Sequence, residues 1–167
     1  MIHEVSGDIL LSKAAAIAHG IAPNDDFHQG LALSLRERWP AMYKDFRHYC
    51  HQAHPKPGTL WTWGGPGHVR IVNLFTQDGA PTHGGKPGRA STANVNHCLR
   101  ELHRLVETEK FGSLALPRLA TGIGGLDWEL VEPLIRQHLG ALKIPVFVYS
   151  RFESGKAADE SSGAKSK

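Results

Sequence analysis

Cysteine is scarce in this chain. Cys50 and Cys98 are the only two, too few for a disulfide framework, which excludes the small stapled secreted scaffolds and points to a reducing compartment. No apolar run approaches the roughly 20 residues that a membrane-spanning helix needs, and the first residues do not read as a cleavable signal. The expectation is a cytoplasmic protein without membrane attachment, acting as a monomer. Neither sign of charge dominates: 19 Lys and Arg against 16 Asp and Glu leave a net charge of +3. That balance mildly favours anionic partners and does not by itself indicate nucleic acid. The chain has no G-K-[ST] phosphate loop and no G-x-G-x-x-G behind a first strand, so two familiar nucleotide-binding signatures are absent. His48, Cys50, His51 and His54 are its densest group of metal-ligand types, but no second half of a zinc site follows at a usual spacing. No metal and no cofactor are expected. No internal repeat is visible.

What is present is a globular composition, 41% hydrophobic and 21% charged over 167 residues, enough for one domain with a core. From Glu153 to Lys167 the chain is rich in Ser, Gly, Ala and Lys and has no apolar periodicity. It reads as a disordered tail behind a domain of residues 1–152.

Strands and helices alternate along the domain. Ile2–Val5 reads as a first strand and Ala14–Ala18 as a second, buried one. A polar loop follows over residues 19–30. A helix starts near Gly30, and another runs from Pro40 to His51, with Pro40 suited to a first helical position. Gly58–Trp63 and Val69–Phe75 are β-branched and aromatic, with Gly-Gly-Pro-Gly between them, and read as an antiparallel hairpin or a pair of neighbouring strands. Residues 76–89 form a loop rich in glycine and proline. Ser91–Glu109 is the clearest helix, its stripe made by Val95, Cys98, Leu99, Leu102, Leu105 and Val106. Leu114–Leu119 reads as a central strand, residues 126–139 as a helix stopped at Gly140, and Ile144–Tyr149 as a last strand. This alternation predicts an α/β protein, a three-layer α/β/α sandwich around a mixed central sheet.

The stretch Leu116-Pro117-Arg118-Leu119-Ala120-Thr121-Gly122-Ile123-Gly124-Gly125-Leu126-Asp127-Trp128 is the most informative. Three glycines in four residues leave main-chain N–H groups uncovered beside a helix N-terminus, which suits a phosphate or diphosphate. The competing reading is a tight strand-to-helix connection that needs positive φ. Asp127 falls in the first turn of that helix, where negative charge complements the dipole. Asp8 lies just past the first strand. It can accept a hydrogen bond from an exocyclic amine such as adenine's, or it can cap its own turn. Loops 19–30, 76–89 and 120–126 all follow strand ends, where open α/β sheets bind ligands. A nucleotide or nucleotide-sugar is therefore expected.

The order and spacing of Gly7-Asp8-Ile9-Leu10, Ala18-His19, Gly30-Leu31-Ala32, Asn73-Leu74-Phe75-Thr76 and the 116–128 stretch make the chain similar to the macrodomain family of ADP-ribose-binding modules, out to about Tyr149. Within it the sequence resembles the branch holding terminal ADP-ribose protein glycohydrolase, the DNA ADP-ribosyl glycohydrolase antitoxins and ADP-ribose-1''-phosphate phosphatase. The resemblance implies that Asp8 and the Ile9 amide take the adenine. It implies that His19, Gly30 and Leu31 lie near the distal ribose and diphosphate, and that Phe75 lies below the ligand. Thr121, Gly122, Ile123, Gly124, Gly125 and Leu126 would wrap the diphosphate. Two departures accompany it: Gln77 stands where the branch's glycohydrolases carry a lysine, and Gly124 where the protein-directed enzyme carries an aspartate. The catalytic candidates left are His19, His28, His83 and Asp127, with Asp25 and Asp26 nearby. The implied function is removal of ADP-ribose from modified protein or nucleic acid. The alternatives are a non-catalytic ADP-ribose reader and a 1''-phosphate phosphatase.

Overall fold

The computed structural model describes residues 1–65, 69–80 and 86–161. In chain order the elements are β1 (Ile2–Gly7), a 3-10 turn (Ile9–Leu11), β2 (Ala16–Ile21), α1 (Gly30–Arg38), α2 (Pro40–Ala53), β3 (Leu60–Gly64), β4 (Arg70–Phe75), α3 (Thr92–Glu109), β5 (Leu114–Pro117), α4 (Trp128–Leu139) and β6 (Val146–Phe152). One six-stranded sheet runs in the order β1-β6-β5-β2-β4-β3. All neighbours are parallel except β3, which pairs antiparallel with β4 at the edge. The sheet is mixed, as the alternation predicts.

Strand alternation sends successive side chains to opposite faces. Ala16, Ala18, Val72, Leu74, Leu114, Leu116, Val146 and Val148 meet α3 and α4 in one buried cluster. Ile17, Ile21, Ile71, Phe75, Ala115 and Phe147 meet α1 and α2 in another. These are the three layers of the sandwich. The stripe read on α3 is the buried one, with Val95, Cys98, Leu99, Leu102 and Val106 inward. Ser91 caps this helix through the Asn94 N–H, 3.1 Å, an arrangement that offsets one of the orphan donors at a helix start. Among the described residues no helix is long and apolar enough to cross a membrane.

Several boundaries differ from the sequence reading, and two of them bear on the site. β2 continues to Ile21, because His19 hides its polarity inside the strand rather than marking its end. The chain beyond Glu153, expected to begin a disordered tail, instead folds back over the end of β1 as far as Ser161. Its main chain finds hydrogen-bond partners there, among them Asp8 N–H to Lys156 O at 2.7 Å. Residues 162–167 lie outside the described residues.

Candidate functional site

Because β1, β2, β4, β5 and β6 are parallel, the described segments after them emerge at one edge of the sheet: residues 8–11, 22–29, 76–80 with 86–91, 118–127 and 153–161. β2 leads to α1 on one face, while its neighbour β5 leads to α4 on the other. Loops that part to opposite faces between adjacent strands open a crevice, and ligands of such sheets bind there. Contacts across this edge tie the loops together. Gly30 lies 3.5 Å from the Ile123 side chain, measured from the position a Cβ would take, and Gly79 lies 3.6 Å from Pro23 O.

The glycine loop forms one end of the crevice. It closes on itself through Leu126 N–H to Ala120 O, 2.9 Å, and Gly125 N–H to Gly122 O, 3.1 Å. Thr121 Oγ1 donates to Arg118 O, 2.9 Å. The preceding loop clamps it from outside, with Ala90 N–H donating to Gly124 O at 3.0 Å and the Arg89 guanidinium lying on Gly125. Among the described residues the N–H groups of Thr121, Gly122, Ile123 and Gly124 have no internal hydrogen-bond partner. Four unengaged donors on a folded turn are an arrangement that suits an anion. The glycines serve different ends. Gly125 has φ +77, and a Cβ on Gly124 would stand 2.6 Å from Ala120 O, so both are needed for the turn itself. Gly122 has open space around it. Ile123 is 52% exposed, and Leu126 packs against the α3–α4 core. The N-terminus of α1, starting at Gly30 (φ +64), approaches from the opposite wall and adds a favourable dipole for an anion.

At the other end, Asp8 is only 7% exposed. Its Oδ1 accepts from Leu10 N–H, 3.0 Å, and its Oδ2 from Gly155 N–H, 2.9 Å. The Ile9 side chain is buried, while its N–H, beside the Asp8 carboxylate, has no partner among the described residues. Phe152, 61% exposed, ends β6 opposite Gly7. It is an aromatic face at this end that the sequence reading did not single out, since an exposed aromatic at a strand end has no local signature.

The other candidates fall in several places. His19 sits within β2, 2% exposed, with Nε2 on Asn73 Oδ1 at 2.6 Å and its ring edge-on to Phe27. Burial lowers its pKa to about 4, against the raising effect of Asn73, so it is a neutral imidazole inside the α1–α2 face rather than a group at the strand's end. Phe75 is also enclosed, stacked on Phe46 and Tyr49. It supports the crevice floor from within and presents no surface to a ligand. Leu31 packs at the edge of the same cluster. Loop 22–29 is anchored by Phe27, which is fully buried at φ +54. Such a conformation is costly for a bulky residue and is held by the aromatic cluster around it. This loop carries Asp25, whose carboxyl burial pushes upward and whose Oδ1 accepts from Phe27 N–H, 2.8 Å. It also carries His28, exposed and paired with Asp26. Asp127 is exposed at the N-cap of α4 and makes no side-chain cap bond. His83 lies outside the described residues. Gln77 is 5% exposed and donates to Gly88 O, 3.1 Å, which holds its own loop. Among the described residues no group of three or more His, Cys, Asp or Glu could hold a metal ion.

A hollow of about 360 Å³ lies at the opposite edge of the sheet, against Ala15, Gly64, Arg70, Glu109 and Phe111. Arg70 there is occupied by Glu109, 3.3 Å, and by the Phe111 ring, so it offers no free charge to a ligand.

Comparison with known proteins adds to this geometry. The family model described as Macro domain matches residues 22–135. A DNA ADP-ribosyl glycohydrolase of Mycobacterium tuberculosis is 29% identical over 137 residues, covering 79% of this chain and 37% of that protein. One from Thermus aquaticus is 28% identical over 162 residues, covering 94% of this chain and 43% of that protein. The chain thus spans less than half the length of these curated relatives. Among solved structures, the macrodomain of Thermus aquaticus DarG superposes with a TM-score of 0.79 at 25% identity, covering 90% of this chain and 98% of that one. Thermosipho africanus DarTG, solved in complex with ADP-ribose, gives a TM-score of 0.78 at 21% identity, covering 93% of this chain and 42% of that one.

Proposed function

This chain belongs to the Macro domain family, and from that premise we propose that its crevice binds ADP-ribose and removes ADP-ribosyl groups from modified macromolecules. The observation that carries this reading is the run of N–H groups at Thr121–Gly124 without a partner among the described residues, in a loop whose Ile123 side chain lies against Gly30 at the N-terminus of α1. Two linked phosphates satisfy these donors with charge-assisted hydrogen bonds, which are about twice as strong as neutral ones. The adenine lies at the other end, its amine on Asp8, its ring nitrogen on the Ile9 N–H and its face against Phe152. With the ends so assigned, the distal ribose falls toward loop 22–29. We assign the protein to the cytoplasm, acting as a monomer. Nucleic acid is the favoured carrier of the modification, because the relatives matched along most of this chain are named for DNA.

Cleavage at the distal ribose develops oxocarbenium character at the anomeric carbon. Catalysis then needs a positioned water, a proton for the leaving group and stabilisation of positive charge. Loop 22–29 supplies the titratable groups. Asp25, raised by burial, holds a proton longer than an ordinary carboxyl and suits the acid role. The Asp26–His28 pair suits removal of a proton from water. Asp127 lies at the far rim. Gln77, turned to Gly88 O, takes no part.

The test is one panel of ADP-ribosylated single-stranded DNA, ADP-ribosylated protein and ADP-ribose-1''-phosphate, each scored for product, with ADP-ribose binding measured by calorimetry. Release of ADP-ribose from the DNA substrate is expected. A second reading, a non-catalytic reader, is favoured by Gln77 and Gly124, which stand where the family resemblance puts the lysine of the branch's glycohydrolases and the aspartate of the protein-directed enzyme. Tight ADP-ribose binding with no turnover on any substrate would select it, and absence of binding would reject both.

A further inference from the structure

The chain beyond β6 serves no purpose in the reading above, yet it is tied down more thoroughly than the loops that do. After Phe152 it turns at Gly155 (φ +75) and crosses the end of β1. Glu153 N–H donates to Gly7 O, 3.1 Å. Asp8 N–H donates to Lys156 O, 2.7 Å, and Gly155 N–H returns a bond to Asp8 Oδ2, 2.9 Å. The approach is so close that a Cβ on Gly7 would stand 2.8 Å from both Ala158 N and Lys156 O. Past this crossing, Glu160 reaches back to the turn after Asp8. Its Oε2 accepts from Ser12 Oγ and from Tyr149 Oη, each 2.7 Å, and its Oε1 accepts from Lys13 N–H, 3.0 Å. Ser12 Oγ in turn accepts from Ala14 N–H, 3.1 Å. The segment and the 8–14 turn therefore close a ring around one carboxylate.

We propose that residues 153–161 form the outer wall of the purine site and that Glu160 is the positioning residue that latches this wall, so that selection of a 6-aminopurine depends on it. This rests on the ADP-ribose reading of the crevice. Two main-chain donors, Leu10 N–H from the turn and Gly155 N–H from the segment, fix the plane of the Asp8 carboxylate. Each oxygen keeps one lone pair. A carboxylate held in this way accepts from the amine of adenine and faces the carbonyl oxygen of a 6-oxopurine unfavourably. A site built around a specific hydrogen bond rejects an analogue that lacks it far more strongly than a merely apolar pocket does. With the latch gone, Gly155 leaves Asp8, water enters, and the carboxylate is free to turn away from the oxopurine. The glycine loop, at the other end of the crevice, keeps its hold on the diphosphate.

The experiment titrates the full chain with ADP-ribose, ADP and IDP by calorimetry, in the wild type and in Glu160→Ala, Glu160→Gln and Tyr149→Phe. Wild type should prefer ADP over IDP by about tenfold or more, the scale of one buried polar contact. Glu160→Ala should lose most of that preference through weaker ADP binding, with IDP affinity nearly unchanged. Glu160→Gln, which keeps an acceptor, should recover part of it. Tyr149→Phe removes a single donor and is the milder variant should the alanine protein fail to fold, and it should show a smaller loss in the same direction. A preference that survives in the folded variants overturns the proposal, as does an equal weakening of both nucleotides, which would mark the latch as scaffolding only. A wild type that binds ADP-ribose but does not distinguish ADP from IDP overturns the proposal and leaves the ADP-ribose reading intact. A wild type that binds none of the three removes that reading as well.

Discussion

The two ends of the crevice are built on opposite plans. At the glycine loop, the groups offered to a ligand are main-chain donors left unpaired, and Gly122 faces open space. At the Asp8 turn, the offered group is a side chain already holding two hydrogen bonds and almost wholly covered. The first end waits for a partner, while the second is finished beforehand and presents only its spare lone pairs. Function and stability should therefore be separable at Gly122 and inseparable at Asp8.

Substitution at Gly122 probes this contrast most directly. Gly122→Val places a side chain where nothing lies within 4 Å, so the melting temperature should stay near that of wild type while ADP-ribose gives no measurable heat of binding. Retained binding would show that the diphosphate is held elsewhere. Next in size is an effect that spares neither end, because it acts on the floor beneath them. His19 titrates near 4 in the folded chain and near 6.5 when unfolded. Its contribution to stability is complete above pH 6.5 and is lost as pH falls from 6.5 toward 4, an amount of about 3 kcal/mol. Urea melts across that range should show the loss, and His19→Gln should flatten the profile. Asp8→Ala should couple the two quantities. ADP-ribose affinity should fall about tenfold, and stability should fall by about 1–3 kcal/mol as Leu10 N–H and Gly155 N–H lose their acceptor. An affinity loss without a stability loss would break the contrast. The smallest change runs the other way. Ala120 holds φ +62, a conformation that costs an L-residue and not glycine, so Ala120→Gly should raise stability by up to about 1 kcal/mol, read from the shift in denaturation midpoint.

The contrast also explains what the sequence could reveal. Glycines crowded between an apolar strand and a helix announce the tight turn and its bare amides, because both require residues without side chains. The α3 stripe and the β-branched and aromatic runs of β3 and β4 announce the layers, because burial imposes their periods. The segment over Asp8 announces nothing. Its residues are small and polar, like those of a disordered tail, and its order depends on acceptors and donors more than 140 positions away, as Gly155 does on Asp8. His19 and Phe75 illustrate the complementary difficulty. Each lies near a strand end in a motif that carries the family resemblance, but only the packing of Phe27, Phe46 and Tyr49 around them shows that both face inward. Gln77 was legible as a departure from the family pattern, whereas its bond to Gly88 O was not.

The bond from Ala90 to Gly124 has a practical corollary for protein engineering. The cradle takes its curvature partly from a neighbouring loop thirty-odd positions upstream, so residues 118–127 grafted alone onto another parallel sheet would arrive without their brace. A transplant that moves both segments together has a better prospect of keeping the shape, and random mutagenesis aimed at retuning the cradle should include positions 86–90 in its library.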